Sequence, residues 1–192
     1  MKRKFLLFLS VAYTIFMAYL CFYYFTKGET HNYQVAFGGI LCGAVPLGLI
    51  LFTKIKFNMP IMLSYFAFLF ASQYLGSILG FYHLGWWDTF LHLLSGALLA
   101  FVGIALYERM THQDARSEIS SWLVFHFVLS FSVFGGVVWE IYEFSMDQFF
   151  AMTLQGGGNF DTMVDLLADT AGGLLIAIIA FIKTKKKFTI SS

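Results

Sequence analysis

The chain has 192 residues, of which 59% are hydrophobic and only 12% are charged, and its mean hydropathy is +0.74. A soluble domain is normally about 45–50% apolar and about 25% charged, so this composition excludes an ordinary soluble protein. The formal net charge of +1 says little by itself, whereas the distribution of the charges along the chain is informative.

Six segments are long and apolar enough to cross a bilayer, which takes about 20 mostly apolar residues in a helix. The predicted spans are 5–25, 34–53, 59–80, 88–107, 120–143 and 163–182. The first follows a basic start but is longer than the roughly 7–15 residues of a secretory signal, and no cleavage site ends it. We therefore predict an all-α fold, a polytopic transmembrane helical bundle of about six spans, in a single integral membrane domain over residues 1–192.

The basic residues predict how the spans are oriented. All but one of the 12 Lys and Arg fall at the termini or in the even-numbered turns, and Lys27 is the exception. Cytoplasmic loops carry the excess of Lys and Arg, so both termini are expected in the cytoplasm. The basic tail from Lys183 to Lys187 is expected to anchor the last helix at anionic headgroups. Membrane lipids are thus the expected partners, and nucleic-acid binding is not expected.

Most acids lie at the opposite, outer side, in the last three spans. Within each span they share one helix face, because spacings of three and four residues return to the same side. Charged groups in or beside a span are costly and usually have partners or a function. The group comprises Asp88 and His92 in span four, Glu140, Glu143 and Asp147 in span five, and Asp161, Asp165 and Asp169 in span six.

Small residues continue each acidic face deeper into its span. They are Ser95, Gly96, Ala100 and Gly103 in span four, Ser132 and Gly136 in span five, and Gly172, Gly173 and Ala177 in span six. Small residues let helices approach closely. We therefore expect the three acidic faces to meet in one pocket near the outer membrane face, where acids so close together cannot all stay ionised without a cation.

Carboxylates with a single histidine are a plausible donor set for a divalent metal ion. Mg²⁺, Ca²⁺ and Mn²⁺ prefer oxygen ligands, and one imidazole also admits zinc or iron. Helical bundles build such sites from inward-facing groups. The predicted metal ligands are Asp88, His92, Asp165 and Asp169, and the predicted general base is Glu140 or Glu143.

Other polar residues are expected to serve the structure. Asp161 is expected to cap the start of span six, and Asp147 is expected to be solvated. His126 is predicted to be a hydrogen-bonded core residue. The loop 155–159 contains three glycines and is interpreted either as a mobile lid over the pocket or as a plain connector. The first three spans are interpreted as a scaffold.

Three stretches carry a family resemblance: Asp88–Gly96, Trp139–Glu143 and Asp161–Gly172. They resemble the YjdF-like bacterial inner-membrane proteins. A fainter similarity is to the VanZ-like membrane proteins, which share a polar-x-x-x-His helix start. The resemblance covers spans four to six well and spans one to three by hydropathy alone. It implies the topology and supports the choice of site residues, and it adds no substrate.

The leading hypothesis is a multi-pass protein of the bacterial cytoplasmic membrane with an outward-facing, acid-rich pocket. Such a pocket suits a metal-dependent enzyme acting on a lipid or envelope precursor. The alternative is a proton- or cation-linked transporter or sensor, although no acid or base continues the path inward. A second alternative is a structural or partner-binding protein, and a homo-oligomer is compatible with all three.

Overall fold

The computed structural model describes residues 2–52, 59–112, 114–150, 154–156 and 158–191. Six helices in these ranges are long and apolar enough to cross a membrane: Arg3–Lys27, Thr30–Phe52, Met59–Ile78, Trp87–Met110, Ser121–Phe149 and Asn159–Lys185. Every regular element in the described ranges is helical. The predicted all-α bundle of six spans is therefore confirmed, and the sidedness of the termini stays a prediction.

The helices are α1 (Lys2–Lys27), α2 (Thr30–Phe52), α3 (Met59–Leu69), α4 (Trp87–Met110), α5 (Ser121–Phe150) and α6 (Asn159–Ser191). A π-helical stretch, Phe70–Ile78, continues α3, and short 3-10 turns cover Phe81–Leu84 and Asp114–Ser117. Two of the predicted spans were too short: α5 extends to Phe150, and α6 already begins at Asn159. Hydropathy detects only the apolar part of a helix, so the polar turns at these ends were missed.

The chain divides into two compact units, Met1–Trp87 and Asp88–Ser192. In the first unit, α1 and α2 meet where glycines remove side-chain bulk. An added Cβ on Gly39 would lie 2.8 Å from the Met17 side chain, and Ser10 Oγ donates a hydrogen bond of 2.5 Å to the Gly43 carbonyl. The Ser10 hydroxyl is therefore paired inside the unit, whereas the buried Thr14 hydroxyl has no hydrogen-bond partner among the described residues. The single membrane domain stays a prediction.

The second unit contains α4, α5 and α6, and small residues set the distance between these helices. An added Cβ on Gly96 would overlap the backbone carbonyl of Asp169, and one on Gly172 would overlap that of Leu93. Ser132 Oγ on α5 donates a hydrogen bond of 2.7 Å to the Gly96 carbonyl. The predicted close approach along the small-residue faces is found at these positions.

An apolar core fills the second unit below this crossing. Its buried members are Ala100, Val124, Val128, Ile176, Ala177 and Ala180. The acids lie at the other end of the unit, where α4 begins, α5 ends and α6 begins; we call this the acidic end. Polar and apolar layers are thus separated along the helix axes.

Asp147 organises the connection from α5 to α6. Its carboxylate accepts backbone hydrogen bonds from Leu154, at 2.7 Å, and from Gln155, at 2.9 Å. The expectation that Asp147 is simply solvated was therefore wrong, because free backbone N–H groups after a helix end attract a carboxylate. Gly157, at the centre of the proposed lid, lies outside the described residues.

His126 also differs from its prediction. It is exposed rather than part of the core, although its ring Nδ1 lies 2.8 Å from the Trp122 carbonyl oxygen, as a hydrogen-bonded histidine should. A histidine one turn into α5 can reach the carbonyl four residues earlier on the same helix. His126 therefore has a hydrogen-bond partner without lying in the core.

Candidate metal centre

His92 lies in the second turn of α4 and is only 5% exposed. Its Nδ1 is 3.0 Å from Asp169 Oδ2 on α6. The other oxygen of Asp169 accepts a hydrogen bond from Ser95 Oγ. In the tautomer in which Nδ1–H donates to Asp169, the lone pair of the neutral ring is on Nε2, where it can bind a ligand.

Glycine makes room for this pair. An added Cβ on Gly136 of α5 would lie 2.7 Å from Asp169 Oδ2, and Gly96 of α4 lies against the Asp169 backbone. Asp169 is 1% exposed, so its carboxylate is enclosed by two glycines and two hydrogen-bond partners. The glycines that follow the acidic faces therefore make room for the Asp169 side chain as well as for the close approach of the helices.

Three carboxylates face the other ring nitrogen. His92 Nε2 lies 3.8 Å from Asp88 Oδ1, 3.9 Å from Glu140 Oε1 and 4.0 Å from Asp165 Oδ2. Asp88, His92 and Asp165 each offer one ligand atom, and these atoms all lie within 4.8 Å of one another. We call Asp88, His92, Glu140 and Asp165 the carboxylate cluster.

Several oxygens of the carboxylate cluster have unmet hydrogen-bonding capacity. Glu140 is 5% exposed and Asp165 is 1% exposed. Both oxygens of Glu140 and Oδ1 of Asp165 are buried without a hydrogen-bond partner of normal geometry among the described residues, although Thr162 interacts with Glu140. A buried carboxylate without partners is costly. A bound cation or shared protons would therefore lower the free-energy cost of burying these carboxylates.

The other predicted acids are placed differently. Glu143 is 9% exposed, and its Oε1 accepts a hydrogen bond of 2.8 Å from Trp139 Nε1 one turn earlier on α5. Asp161 lies in the first turn of α6, as predicted for a capping residue. The structure thus brings Asp88, Glu140, Asp165 and Asp169 around His92, and Glu143 lies beside them with its own partner.

A cavity of about 420 Å³ adjoins the carboxylate cluster between α5 and α6. Its apolar lining residues are Val137, Ile141, Phe144 and Leu166, and its polar lining residues are Glu140, Gln155, Asn159 and Thr162. Glu140 belongs both to the cluster and to the cavity wall. A molecule in the cavity would therefore reach the cluster through Glu140.

Two contributors had no predicted role at the site. Ser95 appeared in the sequence only as a small residue, yet it binds Asp169. Trp139 marked only the start of a motif, yet it binds Glu143. The residue spacing could have indicated both roles. Ser95 follows His92 by three residues and Trp139 precedes Glu143 by four, so each pair lies on one helix face.

Comparison with known proteins supports the membrane assignment. Residues 8–186 match a family described as predicted membrane protein (DUF2238). An uncharacterized protein of Thermotoga maritima is 31% identical over 121 residues, which cover 62% of this chain and 60% of that protein. The chain thus aligns with less than two thirds of that relative's length. No solved structure matches the chain.

The YjdF-like resemblance agrees with this family in broad terms, whereas the VanZ-like similarity stays an expectation. The six spans and the family description together place the chain in a membrane as a multi-pass protein. Because the match extends over most of its length, the chain belongs to the DUF2238 family of predicted membrane proteins.

Proposed function

We propose that the protein is a divalent-metal-dependent enzyme that acts on a lipid or envelope precursor. The observation that carries the proposal is the convergence of three carboxylates on His92 Nε2, with both oxygens of Glu140 and Oδ1 of Asp165 buried without a hydrogen bond of normal geometry among the described residues. A cation between these groups would satisfy all of them at once. When bound, it would polarise a phosphoryl or carbonyl oxygen and lower the pKa of a water ligand.

The donor set fits a first-row divalent ion. Zinc binds nitrogen and carboxylate oxygen at about 2.0–2.2 Å, so neighbouring ligand atoms of a tetrahedral site are about 3.4 Å apart. His92 Nε2 lies 3.8 Å from Asp88 Oδ1 and 4.0 Å from Asp165 Oδ2, and the three ligand atoms all lie within 4.8 Å of one another, so side-chain rotation would have to bring them closer to hold the ion. Asp88, His92 and Asp165 would hold the ion. Mixed oxygen and nitrogen donors suit Mn²⁺, Fe²⁺ or Zn²⁺ better than Ca²⁺.

The remaining residues take distinct roles in this proposal. Asp169 was predicted to be a ligand, but it faces Nδ1, so we assign it the orientation of the His92 ring; carboxylate–histidine pairs of this kind are common behind metal ions. Glu140 is assigned as the general base because it reaches both the cluster and the cavity. Glu143, whose carboxylate is held by Trp139, is assigned to position the turn that carries Glu140.

The alternatives explain fewer of the contacts. A transporter needs a route past the cluster, and within α4–α6 the buried side chains of Ala100, Val128 and Ala177 close the path below it. A purely structural role does not explain why oxygens of Glu140 and Asp165 are buried without a hydrogen bond of normal geometry in the described part of the chain. The basic residues support a pocket that faces away from the cytoplasm, in a bacterial cytoplasmic membrane.

Metal analysis of the protein purified in mild detergent tests the proposal. After chelation and dialysis, the parent should rebind Mn²⁺ or Zn²⁺ and gain thermal stability with either ion. Asp165→Asn keeps the shape of a ligand and removes its charge, so it should lose most of this binding. Glu29→Gln, an exposed acid in the first unit, is the matched control and should bind like the parent. A parent that neither retains metal nor is stabilised by it would refute the proposal.

A further inference from the structure

The polarity of the cavity beside Glu140 is ordered along the helix axes. Val137, Ile141 and Phe144 follow one another along α5 toward its end, and Ile141 and Phe144 are 58% and 53% exposed. Leu166 faces them from α6. The polar residues Gln155, Asn159 and Thr162 lie toward the connection between the two helices. Along α6 the lining therefore changes from polar at the start of the helix to apolar at Leu166, and the α5 side is apolar at each of these levels except at Glu140.

This order matches that of a membrane lipid lying along the bilayer normal. A headgroup lies at the level where helices end, and the acyl chain continues beside the apolar part of the span. The volume of about 420 Å³ falls within the roughly 300–1,000 Å³ of small-molecule sites. Exposed apolar side chains on both helices leave the cavity accessible from the hydrocarbon side.

The charge of the residues that line the cavity favours some lipid headgroups over others. Among the described residues, the cavity is lined by one acid, Glu140, and by no Lys or Arg. An anionic headgroup would therefore find no cationic partner in this lining. Hydroxyl and ester groups would instead find hydrogen-bond partners in Gln155, Asn159 and Thr162.

Glu140 supplies the link to the reactive groups. It is 5% exposed, it lines the cavity, and among the described residues its carboxylate oxygens have no hydrogen-bond partner of normal geometry. We propose that this cavity is the lateral entry groove for an uncharged glycerolipid, of the diacylglycerol class, whose ester or hydroxyl group reaches Glu140. This assignment rests on the proposed function and names its substrate class.

Photolabelling measures occupancy of the groove. The probe is a diacylglycerol with a photoactivatable acyl chain, added to the purified full-length protein in mild detergent. Labelled peptides should map to α5 and α6. Unlabelled dioleoylglycerol should compete several-fold better than dioleoylphosphatidylglycerol of the same chain length. Equal or better competition by the anionic lipid would overturn the assignment, because the acidic lining would then not select.

Paired variants locate the site. Leu166→Trp fills the groove and should reduce labelling several-fold. Leu167→Trp is the control, because Leu167 is the next residue on α6, is 66% exposed and does not line the cavity; its labelling should equal that of the parent. Equal labelling of the Leu166 and Leu167 variants would refute the groove.

Metal binding separates this inference from the proposed function. Leu166→Trp does not alter a ligand, so it should bind Mn²⁺ like the parent while losing the lipid label. If the parent binds metal but shows no selective lipid labelling, the lipid groove is refuted and the proposed metal site is not. Selective labelling in a parent that binds no metal would keep the groove and remove the metal-dependent chemistry.

Discussion

The two ring nitrogens of His92 have different neighbours, and this difference defines the roles around them. Nδ1 is paired with Asp169, which Ser95 also binds. Nε2 faces three carboxylates at 3.8 to 4.0 Å. An orienting partner on one nitrogen fixes the ring and its tautomer, which prepares the other nitrogen to bind a ligand.

Replacing Asp169 tests this division at the scale of one residue. Asp169→Asn retains an amide oxygen that can accept the Nδ1–H bond but removes the charge. We expect affinity for Mn²⁺ or Zn²⁺ to fall about 10- to 100-fold, as for other partners behind a ligand, and to fall less than in Asp165→Asn. Isothermal titration in mild detergent gives both values. Glu29→Gln, the exposed acid of the first unit, should bind like the parent.

An Asp169→Asn variant with parental affinity would contradict the orienting role. A variant that loses binding as completely as Asp165→Asn would instead return Asp169 to the predicted ligand set. Thermal unfolding without metal shows whether either variant has lost the fold, so a structural loss is recognised as such.

Glycines in α4 and α6 set the spacing of the second unit at the scale of helices. An added Cβ would overlap backbone at Gly96 and at Gly172, where the obstacle is the Leu93 carbonyl. Backbone cannot rotate away as a flexible side chain can, so a larger residue must push the helices apart. The carboxylate cluster depends on this spacing, because its members come from all three helices.

Gly172→Ala should therefore destabilise the protein by about 1–3 kcal/mol, the usual cost of overpacking, and should lower its unfolding temperature in detergent. The matched control is Gly48→Ala in α2, where an added Cβ would meet nothing within 4 Å. Alanine is the better helix former by about 1 kcal/mol, so the control should be as stable as the parent or slightly more stable. Equal behaviour of the two variants would contradict the proposed tight crossing.

Sequence reasoning succeeded for helices where one strong physical constraint acts. The bilayer requires long apolar segments, so six spans were predicted. The small-residue faces predicted the close approach of α4 and α6, found at Gly96. The ends of α5 and α6 were missed because polar helical turns there satisfy no hydropathy rule. Asp147 was missed for a related reason, since its partners are backbone groups of a connection whose path the sequence does not reveal.

The sequence predicted which residues form the candidate site better than it predicted which of these residues contact one another. Shared faces on three helices indicated which acids converge, but the side of His92 that each one faces depends on helix rotation. Asp169 and Glu143 were therefore given roles that their observed partners, His92 Nδ1 and Trp139, do not favour.

The charge distribution makes a prediction for the molecule as a whole. All but one of the 12 Lys and Arg lie at the termini or in even-numbered turns, although Lys54 and Lys56 lie outside the described residues. A reporter that is active only in the cytoplasm, fused after Ser192, should be active. A cysteine introduced at Gly157 should react with an impermeant reagent added from outside. Labelling of that cysteine only from the cytoplasmic side would overturn the six-span topology.

In the proposed metal site, the apolar packing beneath the carboxylate cluster would also govern exchange with the surroundings. Ala100, Val128 and Ala177 are fully buried, so within the described residues of α4–α6 a bound ion would leave the cluster through the acidic end. In sealed vesicles, a chelator that cannot cross lipid would strip the ion from one face of the membrane and spare it from the other. The metal content of the protein would then follow the ion supply of a single compartment, however tightly the other compartment buffers its own.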